Sequence, residues 1–211
     1  MTPDARLRPV ELHEAIRRRA MVRSFSPEPL DPVVVERILL DALRSPTAGN
    51  TGGTAWVVLE GSEQTALYFD ATTDEAWRSA SSRWAGLRRA PVILLAYSSA
   101  DLYLARYGEP DKADSGLGEG AERWPVPYWT GDAAFGVMAV LLGAVDAGLG
   151  ACLLGTFRGE DELGRRLGVP EAWRLFGAVA LGRPDGNDHR SPSLDRPGGG
   201  ESGRIHRGGW Q

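Results

Sequence analysis

The chain has 211 residues, 42% of them apolar and 25% charged. That is the balance of a globular domain with a full-sized core, not of a disordered chain. Its net charge of −4, from 24 basic and 28 acidic residues, leaves no basic excess for a phosphate backbone and argues against nucleic acid as a main partner. A lone cysteine, Cys152, rules out a disulfide framework or a cysteine zinc site.

In chain order, residues 1–9 carry Asp4, Arg6 and Arg8 and no apolar run, so no secretory signal is read there and a soluble cytoplasmic protein is expected. Val10 to Ala20 predicts a helix ending in Arg17-Arg18-Arg19, with cations at the end that favours them. Asp31-Pro32 predicts the cap and first residue of a second helix, with Val34, Ile38, Leu39, Ala42 and Leu43 on one face and Pro46 ending it. A loop of small residues, 47–53, leads to a strand over Ala55–Glu60. Residues 62–90 read as helical, and Pro91–Tyr97 as a strand apolar enough to be central. The polar, glycine-rich stretch 108–127 reads as a loop or lid. Trp129–Ala147 is the strongest core helix; its apolar run from Ala133 to Val145 is too short to cross a bilayer. A short strand (Ala151–Leu154), a helix (Glu160–Leu167) and a strand (Phe176–Leu181) follow. Beyond Gly182 the apolar residues are few, chiefly Leu194, Ile205 and Trp210, so that tail forms no core of its own. Together these predict one α+β domain, 1–211, with helices on both sides of a small sheet and a C-terminal extension, 183–211.

Several chemistries are absent. The only lysine, Lys112, follows no glycine-rich phosphate cradle. His13, His189 and His206 have no metal-ligand spacing, and no Gly-x-Ser-x-Gly elbow exists. Cys152 lies in an apolar run and reads as a buried, inert thiol. Three segments remain. The arginines of 17–23 either grip a phosphate, which the planar guanidinium fork suits, or form a solvated helix end. Residues 45–51 either admit a flat ligand to their amides or simply join a helix to a strand. The run Gly148 to Phe157 contains a Gly-x-Gly, but after a helix and not in a Rossmann setting.

Taken in order, these segments resemble the FMN-dependent nitroreductases over nearly the whole chain. Arg19-Ala20-Met21-Val22-Arg23-Ser24-Phe25 looks like that family's Arg-x-Ser-x-Arg/Lys-x-Phe, and Ser45-Pro46-Thr47-Ala48-Gly49-Asn50-Thr51 like its Ala-Pro-Ser-x-x-Asn-x. Asp132 to Ala139 with Gly148-Leu149-Gly150 resembles its long helix and exit, and Ala180-Leu181-Gly182-Arg183-Pro184 its final core strand. The ending His206-Arg207-Gly208-Gly209-Trp210 is similar to that of a group common in actinobacterial proteins.

The resemblance implies a nitroreductase-like α+β fold: a small, mostly antiparallel sheet flanked by helices, in a homodimer with the C-terminal extension laid on the partner. It implies FMN at the interface. Arg19 and Arg23 would bind its phosphate and pyrimidine edge, with Ala20 and Met21 along it. Thr47 and Asn50 would reach over from the second protomer, with Pro46 and Ala48 beside them also touching the cofactor. Leu153, Leu154 and Gly155 would supply the stretch whose amide meets flavin N5, and Arg196 and Arg207 would close the phosphate site. The activity implied is ping-pong hydride transfer from NAD(P)H through the flavin to a nitroaromatic, quinone or enone. It needs no metal and no catalytic side chain. The alternative is a flavin-dependent dehydrogenase, oxidase or ene-reductase acting on one specialised metabolite. Tyr103, Tyr107, Tyr128 and Trp129 are candidates to line the substrate side or to pack. Two departures stand out: Met21 replaces the usual serine, and Gly52-Gly53-Thr54 replaces the usual Gln-Pro-Trp, which would open the pocket.

Overall fold

The computed structural model describes residues 10–79, 82–188 and 204–210. Four strands, β1 (Thr54–Glu60), β2 (Val92–Ser98), β3 (Gly150–Leu154) and β4 (Arg174–Gly182), form one sheet in the order β1-β2-β4-β3, every neighbour antiparallel. All seven residues of β2 are buried, because it pairs on both edges and is covered on both faces. An alternating strand is the signature of a sheet with one wet face; this continuous apolar run is that of a sheet with none.

On one face lie α2 (Pro32–Ala42) and α7 (Tyr128–Asp146), with Ile38, Val137, Val140 and Ala144 packed on Leu94, Val179 and Leu181. Asp31 caps α2 by accepting from the Val33 amide at 2.9 Å, with Pro32 at the first helical position. α7 is long and apolar enough to cross a membrane, but its Val137, Val140, Leu141 and Ala144 are core residues here. On the other face lie α3 (Gly61–Thr72), α5 (Ser82–Leu87) and α8 (Glu160–Leu167), where Tyr68, Phe69, Leu87 and Leu163 pack on Ile93, Leu95 and Ala180. The helix expected over 62–90 is therefore broken: α3 ends at Thr72, and α4 (Glu75–Ser79) restarts after Asp74, whose carboxylate accepts from the Trp77 amide. A carboxylate that captures a free amide at this point starts a new helix. α6 (Ala100–Tyr107) follows β2 directly, and the stretch 108–127 is a series of three 3-10 turns.

The short α1 (Leu12–Arg18) delivers the chain to the outer edge of β3. Met21 forms a parallel bridge with Ala151, and the Val22 amide donates to the Ala151 carbonyl at 3.0 Å. Two residues on, the segment is clamped to the exit of β4. Ser24 Oγ donates to Asp185 at 2.9 Å, Arg89 reaches both Ser24 Oγ and Asp185, and Phe25 bridges to Pro184.

The Asp185 carboxyl is held below its ordinary range, first by the backbone amide of Asn187 and then by Ser24 and Arg89. A depressed carboxylate stabilises the folded state above its unfolded pKa, near 3.9, and stops doing so as pH falls through the folded value. Melting temperature against pH should therefore fall more gently below about pH 4 for Asp185→Asn than for the wild type. The two profiles should stand furthest apart above that pH.

Candidate active site

A cavity of about 310 Å³ opens where β3 ends, between the C-terminal end of α3 and the loop leading to α8. Its walls include Arg23, Tyr68, Phe69, Trp77 and the strand end Leu153–Gly155. The sheet edge is what assembles it. Because residues 21–22 run along β3, Arg23 arrives beside Leu153 and Gly155, about 130 positions away in sequence. Arg23 Nη1 donates to the Met21 carbonyl at 3.0 Å, which turns its guanidinium back along the segment. The Arg23 amide is held by Asp188 at 2.9 Å.

Met21 has a part of its own. Its sulfur accepts from the Leu153 amide at 3.4 Å, so the residue that departs from the family's serine steadies the strand end. Arg19, the C-cap of α1, is half-buried, and its Nη1 has no hydrogen-bond partner among the described residues. A buried guanidinium nitrogen left unpaired is costly, and an anionic oxygen is the acceptor its chemistry asks for. Ala20 is exposed between them. On the far wall the Tyr68 and Thr156 hydroxyls lie 3.2 Å apart. Burial raises the Tyr68 pKa, so it remains a neutral hydroxyl. Cys152 is buried and lines the cavity floor, in keeping with an inert thiol.

The second set of expected residues is placed elsewhere. Pro46, Thr47, Ala48 and Asn50 precede β1, the opposite edge strand, and three inter-strand steps of roughly 4.8 Å put some 14 Å between the two edges. The chain therefore does not bring them to this cavity, and none of them is among its lining residues. They are nonetheless rigidly held. Asp132, buried at the start of α7, accepts from the Ala48 amide at 2.8 Å and from the Tyr103 hydroxyl at 2.7 Å on the same oxygen. Arg106 Nε donates to the Gly49 carbonyl at 3.0 Å while its guanidinium grips Asp111 with two bonds of 2.7 Å. That fork pulls the Asp111 pKa down. Asn50 has φ 54°, the one non-glycine residue with positive φ among those described, and it is exposed.

This region decides one open alternative and corrects one expectation. Tyr103 is fully buried, its ring set against Trp124 and Trp129, so it packs and does not line a substrate site. Its pKa is driven well up by burial and by the Asp132 carboxylate, so its hydroxyl keeps its proton and donates. Nor does Gly53 open a pocket: a Cβ there would lie 2.3 Å from Tyr103 Cε2, so the ring already fills the room. Of the late arginines, Arg207 is exposed in the described stretch 204–210, and Arg196 lies outside the described residues. Trp210 is exposed and stacks on His206.

Asp132 is the residue sequence reading missed. It was visible as a lone acid opening an apolar helix, but nothing local tells a buried acid from a boundary one. Asp132→Ala strands a buried donor, the Tyr103 hydroxyl, and a part-buried one, the Ala48 amide, each costing about 1–3 kcal/mol. Chemical denaturation should show a loss of about 2–6 kcal/mol, and hydrogen exchange at the Ala48 amide should accelerate.

A sequence model of the nitroreductase family matches residues 16–183. The 5,6-dimethylbenzimidazole synthase of Rhodobacter capsulatus is 28% identical over 205 residues, 95% of this chain and 90% of that protein. Among solved structures, nitroreductase CinD from Lactococcus lactis in complex with nicotinic acid is 17% identical with a TM-score of 0.70, covering 88% of this chain and 97% of that one. A protein of Desulfovibrio desulfuricans assigned to the nitroreductases, in complex with FMN, is 20% identical with a TM-score of 0.61, covering 87% and 92%. These likenesses confirm the α+β fold that the sequence implied.

Proposed function

The chain belongs to the nitroreductase family and is an FMN-dependent oxidoreductase, and on that premise we propose that NAD(P)H and an oxidised acceptor use one cavity in turn, a ping-pong reduction of nitroaromatics, quinones or enones. One observation carries the reading: Arg23, Leu153, Leu154 and Gly155, expected to hold the cofactor, line a single aromatic-walled cavity, with an unpaired buried Arg19 nitrogen as a further candidate contact.

Bound FMN would supply the hydride-accepting and hydride-donating chemistry. The chain's own residues bind and orient. Arg19 offers the phosphate a desolvated guanidinium. Arg23 places fixed positive charge where negative charge gathers on reduction, the role of a preorganised dipole or cation. The strand end at Leu154–Gly155, steadied by Met21 and by the Tyr68–Thr156 pair, presents backbone donors. Tyr68, Phe69 and Trp77 keep the inner wall dry. No protein acid or nucleophile is required.

A homodimer completes the site in this reading. Thr47 and Asn50 lead into the opposite edge strand and are not among the cavity's lining residues, an arrangement that suits service to a neighbour's cofactor. Helices α1, α2 and α7 pack together and leave Leu12, Ile16, Leu40, Leu43, Phe135 and Met138 exposed, an apolar face of the kind that obligate interfaces cover. The extension 183–211, with Ile205 and Trp210 exposed, would lie on that partner.

A second reading has support from the Rhodobacter relative, whose likeness runs through 90% of its length. In it the chain forms 5,6-dimethylbenzimidazole or a comparable specialised product. Chromatography of the products formed from reduced FMN in air separates the two.

Three results are expected. Purified protein is yellow and releases FMN, not FAD, on acid treatment. Arg19→Ala weakens FMN binding about tenfold to hundredfold, the value of a charged contact of about 1.5–3 kcal/mol; unchanged affinity would make Arg19 a solvated helix end. Phe135→Asp yields monomers by light scattering and sheds flavin as concentration falls, and a monomer that keeps FMN at micromolar concentration would overturn the shared site.

A further inference from the structure

We propose that Phe157 is the specificity-determining residue for the electron acceptor, taking the flat face of an aromatic acceptor at the mouth of the cavity. Phe157 has this role only if the cavity houses FMN, as proposed above.

Beyond β3 the chain leaves the sheet through Gly155, Thr156 and Phe157. The Phe157 side chain is 95% exposed, yet it lines the same cavity as Arg23 and Gly155. Its ring lies over the Gly155 backbone so closely that a Cβ on Gly155 would stand 2.6 Å from Phe157 Cζ. The ring therefore borders the strand end that presents donors to the cofactor. It has no route into the core, because the adjoining Tyr68 and Phe69 are buried already and in edge contact with each other.

The loop is also fixed on both sides of the phenylalanine. Thr156 is tied to Tyr68 and Arg158 to Asp74, so Phe157 is held outward between two anchored neighbours. The same cavity is lined by Trp77, stacked on Phe69 with ring centroids 6.3 Å apart and planes 22° from parallel. The lining thus includes Phe157 and Trp77 besides the buried rings, and of the two cations among the described lining residues Arg158 is engaged with Asp74 and Arg23 with the Met21 carbonyl. A flat, apolar-faced ligand matches that lining, and a small hydrated anion does not. Aromatic pairing of this kind is worth up to about a tenfold preference.

The test uses FMN-loaded Phe157→Ala, Phe157→Leu and Phe157→Tyr. The readout is kcat/KM for a quinone and a nitrobenzoate, each relative to ferricyanide, an acceptor with no aromatic face. The ratio should fall about tenfold in the alanine variant, through KM. It should stay low with leucine, which restores bulk without a plane, and recover with tyrosine. An unchanged ratio, or recovery with leucine, would overturn the proposal. FMN affinity is titrated alongside by flavin fluorescence. Loss of FMN in the variants alone would make Phe157 a cofactor contact and overturn this proposal, whereas a wild type that binds no flavin would overturn the function proposed above together with it.

Discussion

The outer edge of β3 is the constraint on which the site depends. An edge strand offers unpaired amides and carbonyls, and proteins cover such edges. Here the cover is the segment after α1: Val22 pairs with Ala151, and Met21 sulfur takes the Leu153 amide. That docking is too short to be a strand, and it is held from behind by Ser24, Arg89 and Asp185. It is nevertheless what carries Arg23 to a strand end far away in sequence. If the segment slipped by one residue, Arg23 would change sides and leave the cavity wall.

The opposite edge is organised by different means. The turn at 48–50 has almost no apolar surface, so polar groups fix it. One Asp132 oxygen serves both Ala48 and Tyr103, and Arg106 serves both Gly49 and Asp111. Burying a carboxylate at the start of an apolar helix costs free energy, which two donors offset. The outcome is a turn tied down by polar contacts, with Asn50 exposed on it and Thr47 half-exposed.

Between the edges, several of the described arginines are paired on the surface, as Arg165 and Arg166 are with Glu162, where an ion pair contributes little. Arg23 and Arg19 differ: one lines the cavity and the other has a buried, unpaired nitrogen.

The sequence by itself determined the layers. The unbroken apolar run of β2, the capped start of α2 and the helical spacing in α7 are local signals, and each element formed within a residue or two of its expected bounds. The ordered motifs also named Arg23 and Leu153–Gly155, which the fold does bring together. Only the tertiary structure decided the rest. The break between α3 and α4 depends on Asp74 capturing an amide, and α6 carries too weak a pattern to be read before its contacts exist. Whether Gly53 leaves a hole or receives the Tyr103 ring is a question of which element lies opposite. The same holds for Met21, a lost hydroxyl in the sequence and a sulfur acceptor in the fold. In each case a local pattern fixes periodicity and caps, while the partner of a side chain depends on strand order and register, which no single segment encodes.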